Sequence, residues 1–287
     1  YKMLGVDNKE VTATALVFVP RTTQPVNGWP IVVWAHGTTG VADKCAPSQQ
    51  GLNDSQILLQ QLLVEGYVVV APDYEGLGAE GNHPFLNLKS EAFSITDAVV
   101  ATRDYLSRQG KKAAPQWMTV GHSQGGHAAL GAAQYASRAQ LDYKGTIAIA
   151  PASNLSAILL GGEAFAVGKP AAVQSYIYSP LDAFTLLIVD GMQGHQTSVD
   201  YSTVFKGNLA TLIPTIKGEC FGQIESGIQQ DMFNFSLQNG NSLENYGRTQ
   251  TGFMALPQID TFLNKTSQPL SAKVSTPVII YQGGSDQ

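Results

Sequence analysis

The stretch that most restricts what this chain can become is WMTVGHSQGGHAALGAAQ, running from Trp117 to Gln134. A short apolar, β-favouring run feeds directly into Gly121-His122-Ser123-Gln124-Gly125, and a segment rich in glycine and alanine leaves it. A Gly-x-Ser-x-Gly string alone is weak in a Gly-rich chain. Its position between a buried strand and a small-residue helix gives it meaning as a nucleophile elbow, a tight strained turn that presents the serine Oγ above a sheet. Both glycines have a physical reason, because a Cβ there would crowd the turn or the neighbouring strand. Gly126, Ala128 and Ala129 let the following helix pack closely, and its N-terminus places partial positive charge beside the serine.

The rest of the chain repeats this rhythm. Val11–Val19 alternates as an early, antiparallel strand. Ile31–Ala35 and Tyr67–Ala71 are short buried runs, with an amphipathic helix over Asp54–Glu65 between them. Ser90–Arg108 reads as a long helix with Ile95, Val99, Thr102 and Leu106 on one stripe. Thr146–Ala150 and Val278–Tyr281 are the later strands. Such alternation predicts an α/β fold with a mainly parallel sheet covered by helices. Between Pro151 and Pro277 the rhythm stops, and the stretch is too long for a loop. Helix-like segments within it point to a helical cap inserted above the C-terminal edge of the sheet. The expected organisation is core over 1–151, cap over 152–276 and returning core over 277–287.

Composition narrows the class. The 287 residues are 44% hydrophobic and only 14% charged, with net charge −5, so the chain has the means to bury a core and is not a disordered one. Without Lys/Arg runs, nucleic acid is not an expected partner. No apolar stretch approaches the ~18 residues of a membrane span. Cys45 and Cys220 permit one disulfide, and few charges with many Ser, Thr, Asn and Gln fit an oxidising, secreted setting, extracellular or periplasmic. No metal cluster, phosphate loop or nucleotide fingerprint appears, so no cofactor or metal is expected.

A serine nucleophile needs donors for an oxyanion. The first is the N–H of Gln124, and the second belongs to the loop after an earlier strand, His36-Gly37-Thr38-Thr39-Gly40, from Thr38 or Thr39. His36 reads as a residue that fixes this loop. The acid belongs on the turn after a late strand, which selects Asp286 over Asp182, Asp190, Asp231 and Asp260. The base is harder to find. The usual order is serine, acid, histidine, yet His36, His83, His122, His127 and His195 all precede Asp286. The catalytic histidine is therefore expected on a segment beyond Gln287, with His195 in the cap as the alternative.

The blocks HGTTGVADKCAPS, APDYEGLG, GHSQGGHAAL and VIIYQGGSDQ, with the long insertion before the last, resemble the secretory lipase family related to Candida antarctica lipase A. The resemblance runs over nearly the whole chain. It implies an α/β-hydrolase core, a helical cap shaping an acyl pocket, secretion, Ser123 as nucleophile and Asp286 as acid. The function expected is a secreted carboxylic-ester hydrolase, lipase or esterase, working through an acyl-enzyme. Its partners would be small-molecule or lipid esters, with transient contact at a lipid interface compatible with that role. The alternatives are an α/β-hydrolase peptidase or aryl esterase, or a catalytically silent ligand-binding relative.

Overall fold

The fold is taken from a computed structural model that describes residues 1–52, 55–195 and 197–284. Two short strands, β1 (Lys2–Leu4) and β2 (Glu10–Thr12), form an antiparallel ribbon. The main sheet is built from β3 (Ala15–Phe18), β4 (Trp29–Ala35), β5 (Val68–Pro72), β6 (Ala113–His122), β7 (Asp142–Ile149) and β8 (Val278–Tyr281). Its order is β3-β5-β4-β6-β7-β8, with β3 antiparallel to β5 and every other pairing parallel. Helices α1 (Pro47–Gln50) and α2 (Gln56–Val64) follow β4, α3 (Leu88–Arg108) follows β5, and α4 (Gln124–Tyr135) follows β6. This is the mainly parallel sheet the alternation predicted.

The two central strands show why their runs are continuously apolar. Ile31, Val33, Val68 and Val70 face α3 and α4, meeting Ile95, Val99, Leu106, Ala128 and Ala132. The intervening Val32, Trp34, Val69 and Ala71 face the other side, where Leu59 of α2 lies. A strand covered on both faces has no position left for a polar residue. Helix α3 starts where the Asn87 side chain accepts a hydrogen bond from the Ser90 N–H at 3.2 Å, a capping contact at the helix start. The single strand expected over Val11–Val19 is divided instead. The Ala13 N–H donates to the Tyr1 carbonyl while the Thr14 carbonyl accepts from Asp73, so its two halves pair with different neighbours.

Between β7 and β8 lie α5 (Leu155–Ala166), α6 (Ala171–Met192), α7 (Tyr201–Val204), α8 (Gly207–Ile216), α9 (Phe221–Gln238) and α10 (Pro257–Thr261). They enclose an apolar cluster of their own, with Leu186, Leu187 and Val189 of α6 against Ile224, Ile228 and Met232 of α9. The long helix α6 carries little periodic signal in the sequence, because Pro180 interrupts its pattern. By length and mean hydropathy α6 could cross a membrane, contrary to the expectation that no stretch comes close. Here it is the central helix of the insertion, largely buried from Leu181 to Met192. Arg248 fastens α5 to α6, bonding both carboxylate oxygens of Glu163 and of Asp182 at 2.7–2.9 Å. A disulfide joins Cys45 to Cys220, tying the turn after β4 to the start of α9.

Candidate active site

Ser123 sits between the last residue of β6 and the first of α4 with φ 56° and ψ −119°, a left-handed conformation that a side chain rarely adopts. The surroundings hold it there. Its N–H donates to the Ile149 carbonyl of β7 at 2.9 Å, and its own carbonyl accepts from His127 at 3.0 Å and Ala152 at 3.2 Å. A Cβ on Gly125 would run into the Ala35 carbonyl, and one on Gly121 into the Gly125 carbonyl. The two glycines therefore let the strand, turn and helix close on one another.

The loop after β4 passes beside this turn. A Cβ built on Gly37 would lie 3.9 Å from the Ser123 Cβ. The His36 ring is buried, donates from Nδ1 to the Gly37 carbonyl at 2.7 Å and stacks on Tyr74, whose hydroxyl donates to the His36 carbonyl. Burial lowers the pKa of His36, which keeps the ring a neutral loop support. On its far side the loop is fixed to α9: Phe221 donates to the Thr39 carbonyl at 2.9 Å, Gly40 bridges to Cys220, and the disulfide follows. The Thr39 hydroxyl is buried, with no hydrogen-bond partner among the described residues.

Two clefts meet at Ser123. One, of about 460 Å³, has Leu86, Leu155, Ile158, Leu159, Phe184 and Ile188 among its walls, with Thr38 and Gln282 among its polar lining. The other, of about 310 Å³, runs along Thr38, Thr39, Leu52 and Phe221. Ser123, His122, Thr38 and Phe184 belong to both.

The structure brings Ser123, Gln124, Thr38 and Thr39 together, whereas Asp286 lies outside the described residues. The alternative base, His195, is not brought to Ser123. Its Nδ1 donates to Asp7 at 2.9 Å, and it lines cavities with Val6, Asp7 and Gly5 rather than either Ser123 cleft. The competing acids are engaged within the insertion: Asp182 with Arg248, Asp190 with Tyr201, Asp231 with Tyr246 and Asp260 with Asn264.

Behind the turn lies a buried polar group that sequence reading missed. Glu91, with no solvent exposure, accepts from the Gln124 side-chain amide at 2.8 Å and pairs with His127 Nδ1 at 2.6 Å. The signal was present: Glu91 lies one helical turn before Ile95 and so heads the buried stripe of α3. A carboxylate on the apolar face of a helix needs a partner.

Comparison with known proteins agrees with this architecture. No curated protein sequence matches the chain. The esterase LipA of Xanthomonas oryzae, described as rice cell wall degrading, superposes with TM-score 0.69 at 19% identity, over 98% of this chain and 72% of its own. A putative hydrolase from Legionella pneumophila gives 0.73 at 19% over 98% and 71%, and Candida antarctica lipase A in its closed state gives 0.65 at 20% over 98% and 63%. These likenesses show a shared α/β-hydrolase fold. Over residues 48–181, which hold β5, α3, the Ser123 turn and α4, the chain matches the secretory lipase family.

Proposed function

We propose that this chain carries the nucleophile, oxyanion site and acyl-binding wall of a secreted serine ester hydrolase of lipase or esterase type. The observation that carries the reading is Ser123, held at φ 56° where two clefts meet. Ser123 Oγ attacks the ester carbonyl, and the oxyanion that forms is held by the N–H of Gln124 and that of Thr38 or Thr39. Each such donor is worth on the order of 3 kcal/mol in the transition state. Loss of the alcohol leaves an acyl-enzyme, which water then hydrolyses. Asp286 serves as the acid that orients the imidazole. The base is a histidine outside these 287 residues, because His36, His83, His127 and His195 are each held by other partners and His122 precedes the nucleophile on its own turn.

The larger cleft supports an apolar acyl group, since most of the side chains lining it are aliphatic or aromatic. Residues 152–276 act as a cap whose α5 and α6 supply most of that wall. The disulfide supports an oxidising destination. Esters of graded acyl length, a peptide substrate and a fluorophosphonate test the reading on the full-length protein. Labelling of Ser123 with turnover of esters is the expected result. An unlabelled Ser123, or hydrolysis of peptides alone, would overturn it.

A further inference from the structure

The Gln124 side chain is buried, and both of its N–H groups are used. One donates to Glu91 Oε1 at 2.8 Å, the other to His83 Nε2 at 3.1 Å. Among the described residues the Gln124 Oε1 has no partner, so these two acceptors set the orientation of the amide. Turning it over would set its oxygen against the Glu91 carboxylate. His83 can accept only as a neutral ring protonated on Nδ1. That nitrogen donates to the Glu75 carbonyl at 2.8 Å, and burial holds the pKa of His83 down to about 4. Glu91 is fixed in turn, since Oε1 also accepts from the Leu86 N–H at 3.2 Å and Oε2 meets His127 Nδ1. His127 lies three residues after Gln124 on the same face of α4, and its Nε2 donates to the Ser267 carbonyl at 2.6 Å.

One buried carboxylate on α3 thus grips the first turn of α4 at two points. The turn it grips begins at the N–H assigned to the oxyanion, directly after a residue in a strained conformation. Anything that lets this turn relax re-aims that N–H. We propose that Glu91 is a positioning residue for ester hydrolysis: it holds Gln124 by its side chain so that the Gln124 backbone N–H stays aimed at the oxyanion. This rests on the ester-hydrolase reading given above. Gln124 is then bound twice, by its side chain to the scaffold and by its backbone to the reacting oxygen.

The test is a cycle in the full-length protein of wild type, Glu91→Gln, Gln124→Met and the double variant. Both substitutions preserve volume, and Gln124→Met keeps the backbone N–H. The measurements are kcat and KM on p-nitrophenyl butyrate and the rate of Ser123 labelling by a fluorophosphonate. Each single variant is expected to lower kcat by at least about tenfold with KM within about twofold, the pattern of an interaction made in the transition state. The double variant should fall no further than the worse single one, because the two residues act as a unit. A wild-type kcat in Gln124→Met, or losses that multiply in the double variant, would refute the positioning role while leaving the hydrolase reading intact. Wild-type protein that neither labels nor turns over would overturn the hydrolase reading and this inference with it. Should Glu91→Gln not fold, Glu91→Asp, which keeps the charge but draws the carboxylate back from Gln124, takes its place in the cycle with the same expected outcomes.

Discussion

Replacing Cys45 and Cys220 together by alanine tests how the loop beside Ser123 is held. The bridge closes a loop with a sequence separation of 175. Opening it returns to the unfolded chain an entropy that corresponds to about 5 kcal/mol at 25 °C, an upper figure because unfolded chains keep some structure. For a protein of this length that amounts to a fall in Tm of about 8 °C. The native side of the balance loses less. Phe221 still donates to the Thr39 carbonyl and Gly40 still bridges to Cys220 through the backbone, so the fold itself should persist. What should loosen is the Thr38–Gly40 segment, whose anchor on α9 would shrink to these backbone contacts. Scanning calorimetry and urea titration of the two proteins measure the first effect, and kcat on a short-chain ester measures the second. A Tm change under about 2 °C, far below the entropic expectation, would refute the reasoning. So would two titratable thiols in unfolded, non-reduced wild type.

Other substitutions bear on separate parts of the structure. Ser123→Ala should abolish ester hydrolysis with the fold intact. Ser123→Gly should be equally inactive yet more stable than the alanine variant by about 1 kcal/mol, because glycine relieves the positive φ; equal melting temperatures would count against strain at this turn. Gly125→Ala should give little folded protein, since its Cβ meets the Ala35 backbone. Gly161→Ala on α5 meets nothing among the described residues and should stabilise by up to about 1 kcal/mol, as chemical denaturation will show. Two buried groups should tilt the pH dependence of stability in opposite senses. His83 is held near pKa 4 against 6.5 unfolded, so its contribution is lost as pH falls through that window, and His83→Gln should flatten the loss. Asp182 is raised by burial from 3.8 to about 6, so its contribution is lost as pH rises across that range, and Asp182→Asn should remove the decline. Urea midpoints taken from pH 4 to 7 separate the two.

The sheet was legible because its central strands are buried on both faces, which forces runs such as IVVWA and VVVA that little else explains. The Ser123 turn was legible for a different reason: its glycines are imposed by backbone contacts that no other residue type satisfies. The disulfide followed from having only two cysteines. Helix α6 escaped notice because its burial comes from partners distant in sequence, such as Ile224 and Met232, and Pro180 masks its periodicity. The division of the Val11–Val19 run was hidden too, since only the fold sets Tyr1 beside Ala13 and Asp73 beside Thr14. Glu91 could have been found, as an acidic residue in register with Ile95 and Val99. Its partners Gln124 and His127, 33 and 36 positions away, could not.

The insertion's separate apolar cluster also bears on how such a protein diversifies. Leu155, Leu159 and Ile188, which wall the larger cleft, belong to that cluster and not to those flanking the sheet. From the core side, Phe85 and Leu86 of the loop before α3 enter it and Val41 of the loop after β4 packs against it. Mutations that reshape the cleft are therefore absorbed largely by α5 and α6, while β6, α4 and the glycines around Ser123 stay under a different set of constraints. Substrate range and chemistry can drift at different rates within one chain.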